Sequence, residues 1–120
     1  MTQSQRIQIM IMSGVEDGTP LTFSQDRDGL PSKNVWMLTI GRREDNDLCL
    51  RNDTFISRQH ANLVWREKYW WLEDLNSTNG TFVENERDIF VDEKVSDRVR
   101  IIQGQLFRIG RTWLRLQSAE

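Results

Sequence analysis

Short blocks of alternating apolar and polar residues run the length of this chain. Ile7, Ile9 and Ile11 are interleaved with Arg6, Gln8 and Met10, the period of two expected of a strand with one buried face. After a break over 14–18, Pro20-Leu21-Thr22-Phe23 reads as a second strand and 35–40 as a third. Leu48-Cys49-Leu50 is a short apolar strand in which Cys49 is expected to fill core space. Residues 61–66 and 69–74 are rich in aromatic and branched side chains, which favour sheet. Only Glu67-Lys68 separates them, so they form an antiparallel hairpin. Phe82-Val83, 99–102, 106–109 and 112–116 supply the remaining strands, with turns at Gly104 and Gly110. No ten-residue stretch has a helical period. Many short strands punctuated by turns predict an all-β sandwich of two twisted, mainly antiparallel sheets.

Three stretches are less regular. Residues 24–34 are rich in Asp, Gly, Pro and Ser and read as an exposed loop. Residues 88–97 place Ile89, Phe90, Val91 and Val95 among acids, a pattern compatible with an extended hairpin or one helical turn. Trp65, Trp70 and Trp71 cannot all face inward on alternating strands, so at least one is expected at an edge or as a lid over a loop.

Composition narrows the function. Five Trp and five Phe within 38% hydrophobic residues argue for a globular domain, and 120 residues suffice for one core. We expect it to span 6–117, with polar tails at 1–5 and 118–120. The formal charge of −2 gives no general attraction to nucleic acid or anionic lipid. No apolar run approaches the roughly 20 residues that span a bilayer, and the polar Met1-Thr2-Gln3-Ser4-Gln5 does not read as a signal peptide. Cys49 is the single cysteine, which excludes an internal disulfide and a cysteine-based zinc cluster. Cytoplasm is the default location, and a monomer is the favoured state.

The candidate chemistry lies in three separated segments: Gly41-Arg42, Ser57-Arg58-Gln59-His60 and Asn76-Ser77-Thr78-Asn79-Gly80-Thr81. Asn79-Gly80 is a dipeptide that readily accepts positive φ in a tight turn. The run of amides and hydroxyls before it exceeds what a turn needs. Arg42 carries a planar fork suited to oxyanions; taken alone, it would more often pair with Asp45 or Asp47 at the surface. Ser57 is a hydroxyl donor or a turn residue that bonds its own backbone.

In this order and at these separations the three segments resemble the forkhead-associated (FHA) domain, a family of phosphothreonine-peptide readers, and the similarity extends over about residues 7–116. The resemblance implies an FHA-like sandwich of about eleven strands. It also implies a phosphopeptide site in which Arg42 is the principal anchor, Ser57 and Thr78 donate hydroxyls to the phosphate, and Asn79 bonds the ligand backbone. Arg58 is a further phosphate donor or lies along the surface. Gly41, His60, Asn76 and Gly80 would support the site, with His60 a buried brace between the Ser57 loop and the loop around Asn76. The implied partner is a protein or peptide phosphorylated on threonine by a Ser/Thr kinase, with no cofactor and no metal. Residues 24–34 form a longer loop than is usual for the family, and Glu84-Asn85-Glu86 stands where members often carry Asn-Gly.

Other functions compete. Ser57 and His60 suggest a nucleophile and base, but three residues apart on an extended strand they point to opposite faces, and no Gly-x-Ser-x-Gly elbow is present. One histidine without cysteine partners is a poor zinc ligand set. The chain is therefore expected not to be an enzyme. Arg98, Arg100, Arg108, Arg111 and Arg115 lie in a stretch without acids and offer a minor reading as a nucleic-acid contact. A phosphate-independent interaction or oligomerisation domain, using the edge near Phe90 or Trp113, is the remaining alternative.

Overall fold

The period-of-two segments become strands. The computed structural model describes residues 5–32, 35–85, 87 and 92–119, which contain twelve strands and no helix. They are β1 (Arg6–Ile11), β2 (Pro20–Ser24), β3 (Leu30–Ser32), β4 (Val35–Gly41), β5 (Leu48–Cys49) and β6 (Ala61–Arg66). Then follow β7 (Tyr69–Asp74), β8 (Thr81–Glu84), β9 (Asp92–Lys94), β10 (Arg98–Ile101), β11 (Leu106–Ile109) and β12 (Thr112–Ala119). One sheet has the order β2-β1-β12-β11-β8-β9; the other has the order β10-β7-β6-β4-β3. Every pairing is antiparallel except β5 beside β4.

The core forms where the inner faces meet. Ile7, Ile9, Ile11, Phe107, Leu114 and Leu116 of the first sheet pack against Trp36, Leu38, Ile40, Leu63 and Leu72 of the second, all essentially without solvent contact. Trp36 meets Trp70 edge-on at 5.4 Å between ring centroids, and Trp65 packs on Trp70 at the same separation. Trp71, the tryptophan that turns outward, sits on the outer face of an interior strand rather than at an edge or over a loop.

Other expectations change as well. The 24–34 loop contains β3, because the Trp36 indole donates to the Asp28 carbonyl at 2.8 Å and lays 30–32 against 35–37. Pro31 lacks an amide hydrogen, which this edge strand tolerates. Cys49 is only half-buried, its Sγ 3.7 Å from the Arg42 carbonyl, because the inward positions of the short β5 segment belong to Leu48 and Leu50. The expected 118–120 tail is in part strand, since Ser118 pairs with Gln8 and Ala119 with Ile7. The five arginines between 98 and 115 do not form one stripe: Arg98 and Arg100 belong to one sheet, Arg108 and Arg115 to the other, and Arg111 to a turn. Residues 92–94 pair with β8 as a hairpin, whereas Phe90 and the rest of 88–91 lie outside the described residues.

Register brings the motif-bearing ends together. Ile40 opposes Ala61, and Ala61 opposes Asp74, so the end of β4, the start of β6 and the end of β7 lie side by side. In the other sheet Thr81 opposes Ile109, which opposes Thr112, and 75–80 links β7 to the start of β8. All three motifs therefore sit at one end of the sandwich. Because Trp36 anchors both the core and the 24–30 turn, Trp36→Ala is expected to cost about 3–5 kcal/mol of folding stability, read from the urea-denaturation midpoint and slope.

Candidate functional site

Gly41 ends β4 where the backbone of Arg58 approaches. A Cβ at Gly41 would lie 2.1 Å from the Arg58 carbonyl oxygen, so only glycine permits the approach. That carbonyl accepts the Asn46 side-chain amide at 2.8 Å, and Asn46 also bonds the Arg43 carbonyl at 3.0 Å. The loop after Gly41 is thus pinned to the Ser57 segment. The Arg42 amide donates to the Ser57 carbonyl at 3.1 Å, and its Nε donates to the Ile56 carbonyl at 3.1 Å. The side chain is exposed and makes no ion pair among the described residues. The two acids that might have neutralised it are otherwise engaged: Asp45 pairs with Arg43, and Asp47 accepts the amide and hydroxyl of Thr39.

Ser57 faces Thr78. The Thr78 amide donates to Ser57 Oγ at 3.2 Å, which occupies that oxygen as an acceptor and leaves its hydroxyl hydrogen to be given elsewhere. The Asn79 side-chain amide donates to the Phe55 carbonyl at 2.9 Å. Arg42, Ser57, Thr78 and Asn79 are thus joined, directly or through one residue, at a single rim. Arg58 and Gln59 are exposed beside it.

Beneath the rim, His60 has no solvent contact. Its Nδ1 accepts the Ser57 amide at 3.0 Å, which fixes the proton on Nε2; that nitrogen then donates to the Gly80 carbonyl at 2.9 Å. Neither ring nitrogen is left for the Ser57 hydroxyl, so the two residues do not form a nucleophile–base pair. The His60 backbone ties the same loops, its amide donating to Ile40 and its carbonyl accepting from Leu75. Burial holds the imidazole below its ordinary pKa, against the Gly80 bond and the charges of Asp74 and Asp53.

Asp74 opens the stretch that ends at Thr81 and has no role at the site expected from sequence, yet it organises the Asn76–Thr81 loop. Its Oδ1 accepts the hydroxyls of Ser77 at 2.6 Å and Thr81 at 2.7 Å, and its Oδ2 accepts the Ser77 amide at 3.2 Å. Burial pushes its pKa up, but these donors and the nearby His60 outweigh that and leave it below the usual carboxylate value. Ser77 Oγ in turn accepts the Gly80 amide. An aspartate three residues before a serine at a strand end is the signature of such a side-chain turn, and it was available in Asp74-Leu75-Asn76-Ser77. Positive φ falls on Asn76 and Gly80 and not on Asn79, so the connection is no two-residue hairpin; it carries the chain from one sheet to the other.

Asp53 is a second tie not foreseen. It accepts the Arg111 amide at 2.7 Å and the Thr112 hydroxyl at 2.8 Å, fastening the segment before Ser57 to the β11–β12 turn. Among the described residues no cluster of His, Cys, Asp or Glu is arranged to hold a metal ion.

The family model described as FHA domain matches residues 38–110. The FHA domain-containing protein FhaB of Mycobacterium tuberculosis is 32% identical over 109 residues, which cover 91% of this chain and 59% of FhaB. The chain thus spans about three-fifths of the length of that curated relative. A solved domain described under phosphothreonine-dependent FHA domain interactions is similar at 27% identity and a TM-score of 0.64, covering 94% of both chains. The FhaA FHA domain complexed with the intracellular domain of another protein is similar at 27% identity and a TM-score of 0.64, covering 95% of this chain and 99% of that one.

The state of His60 has a pH signature. The fold holds the neutral ring, while the unfolded chain takes up a proton near pH 6.5. Between the lowered folded value and 6.5 the unfolded state carries the extra proton, so stability falls as pH drops below 6.5 and this loss ends below the folded value. With only one histidine in the chain, His60→Gln is expected to flatten the slope of unfolding free energy between pH 7 and 5, measured by denaturant titration at each pH.

Proposed function

The chain belongs to the FHA domain family, and on that premise we propose that it is a non-catalytic module that binds proteins phosphorylated on threonine. The observation that carries this reading is the junction of Arg42, Ser57 and Thr78 at one exposed rim, with the Arg42 guanidinium unclaimed by any acid among the described residues. A phosphothreonine brings a charge of about −1.5 to −2 and three acceptor oxygens. Arg42 supplies the cation. The Ser57 hydroxyl has its oxygen already occupied by Thr78 and donates outward; the Thr78 hydroxyl donates from the opposite side. Arg58, exposed on the same segment, adds a second cation, and Asn79 keeps its Oδ1 for the ligand backbone while its amide holds Phe55.

The magnitudes suit reversible reading. A hydrogen bond to a charged group contributes roughly 1.5–3 kcal/mol, so three give on the order of 4.5–9 kcal/mol before the cost of desolvating the phosphate. That suffices to discriminate against an unmodified threonine and leaves exchange possible. The modification implies a Ser/Thr kinase acting upstream on the partner. We place the protein in the cytoplasm, as a monomer; among the described residues no helix is long and apolar enough to cross a membrane. A nucleic-acid role finds no support in the geometry, since the arginines of 98–115 are divided between two sheets and a turn.

A phosphothreonine peptide selected from an oriented library should bind, and its unphosphorylated twin should not, in isothermal titration. Arg42→Ala is expected to lower the affinity on the order of 10–100-fold, in line with the loss of one charge-assisted contact. Equal binding of both peptides, or an affinity unchanged by Arg42→Ala, would remove the rim as the phosphate site.

A further inference from the structure

We propose that the outer face of the β10-β7-β6-β4-β3 sheet is a second, phosphate-independent docking surface, fitted to a protein segment that sets apolar side chains between acidic ones. The register puts Leu30, Met37, Val64 and Trp71 in one row across four strands, with Arg100 at its end; Val64 is itself buried, so the accessible part of the row is Leu30 at one edge and the half-buried Met37 and Trp71. These positions alternate with the core residues of the same strands, so the row lies on the side away from the first sheet. Six large apolar side chains of the described residues are exposed. Leu30 (56%) and Tyr69 (44%) stand on this face, and Leu75 (41%) and Ile102 (44%) continue its alternation just beyond β7 and β10. Exposed apolar side chains gathered on one face, when a random scatter is the norm, mark a contact surface.

Charge indicates what covers it. Arg100 lies over the Tyr69 ring at 3.7 Å and Arg98 over Trp71 at 5.5 Å, and neither makes an ion pair among the described residues. Of the acids on this face, Glu73 is paired with Arg66 at 3.8 Å and Asp47 accepts the Thr39 amide and hydroxyl, which leaves Arg98 and Arg100 as the unpaired charges at the β10 end. The face is therefore cationic on a chain whose formal charge is −2. Its aromatic rings hold the guanidinium groups in place and so prepay part of the ordering that a partner would otherwise impose. Two-fold pairing of copies through this face would set its arginines against one another, which disfavours a second copy as the occupant.

The test pans a phage-displayed library of randomised, unphosphorylated peptides on the full chain. A synthetic peptide of the most enriched sequence is then titrated while amide chemical shifts are followed. The proposal expects apolar residues spaced by Asp or Glu, shift changes in β6, β7 and β10, and at least about a tenfold loss of affinity with Arg98→Glu/Arg100→Glu. The melting temperature of that variant shows whether it is folded; if it is not, Leu30→Asp at the exposed edge is expected to cause the same loss. Absence of enrichment, basic or purely apolar sequences, shifts confined to the surroundings of Ser57, or binding untouched by the folded variants would overturn it. So would self-association, measured by sedimentation, that protects this face. None of these outcomes depends on whether Arg42 binds phosphate.

Discussion

A single imidazole, sealed from water, holds together loops that belong to two different sheets. His60 precedes β6 in one sheet and donates to the carbonyl of Gly80, which leads into β8 of the other. Its second nitrogen receives the Ser57 amide. Both bonds require the neutral ring with its proton on Nε2, and both lie where lost hydrogen bonds are not replaced by water. The geometry of Ser57 relative to Thr78 is thus set by how the sheets pack. The core residues around Trp36, Leu38 and Phe107 therefore position the rim although none of them touches it.

Asp74 performs a sorting of hydroxyls above that brace. Three such groups stand within five residues of the 77–81 loop and its flank, and each could in principle turn outward. Asp74 takes Ser77 and Thr81 for the loop itself. Thr78 is left exposed, with its amide committed to Ser57. A carboxylate close to a site proposed for a dianion would ordinarily be unfavourable. Here its charge is covered by two hydroxyls and an amide, which also explains why it remains ionised despite partial burial.

Much of this was legible in the residues. The alternation of Ile7, Ile9 and Ile11, the two-residue link at Glu67-Lys68 and the glycine turns at 104 and 110 translate directly into β1, the β6–β7 hairpin and the closing strands, because each depends on local periodicity or backbone freedom. Three motifs at fixed separation were enough to nominate Arg42, Ser57 and Thr78. What escaped depends on partners distant in sequence. β3 forms because an indole eight residues away captures the Asp28 carbonyl, and its Asp, Gly and Pro composition argues the other way. The half-exposure of Cys49 follows from parity on a two-residue strand. The arginines of 98–115 form one run in the sequence, but β10 and β11 enter different sheets, which periodicity cannot reveal. Gly41 was expected only to support the site; its φ is ordinary, and what it provides is room for the Arg58 carbonyl.

The electrostatics of the proposed site follow from this arrangement. A chain of net charge −2 offers no long-range pull on a phosphate dianion, and exposed charges are screened beyond about 8 Å at physiological ionic strength. Encounter with a phosphopeptide should therefore proceed at the ordinary rates of oriented docking rather than at steered ones. Discrimination has to come from contacts made after arrival, by donors whose positions were fixed beforehand. His60, Asn46 and Asp74 bond the frame beneath the rim, so a phosphate at the proposed site would meet a guanidinium and hydroxyls on loops already tied down, and the ordering cost of those loops would fall on folding and not on binding. Specificity without steering is the regime in which the proposed site would release one phosphorylated partner and take up another.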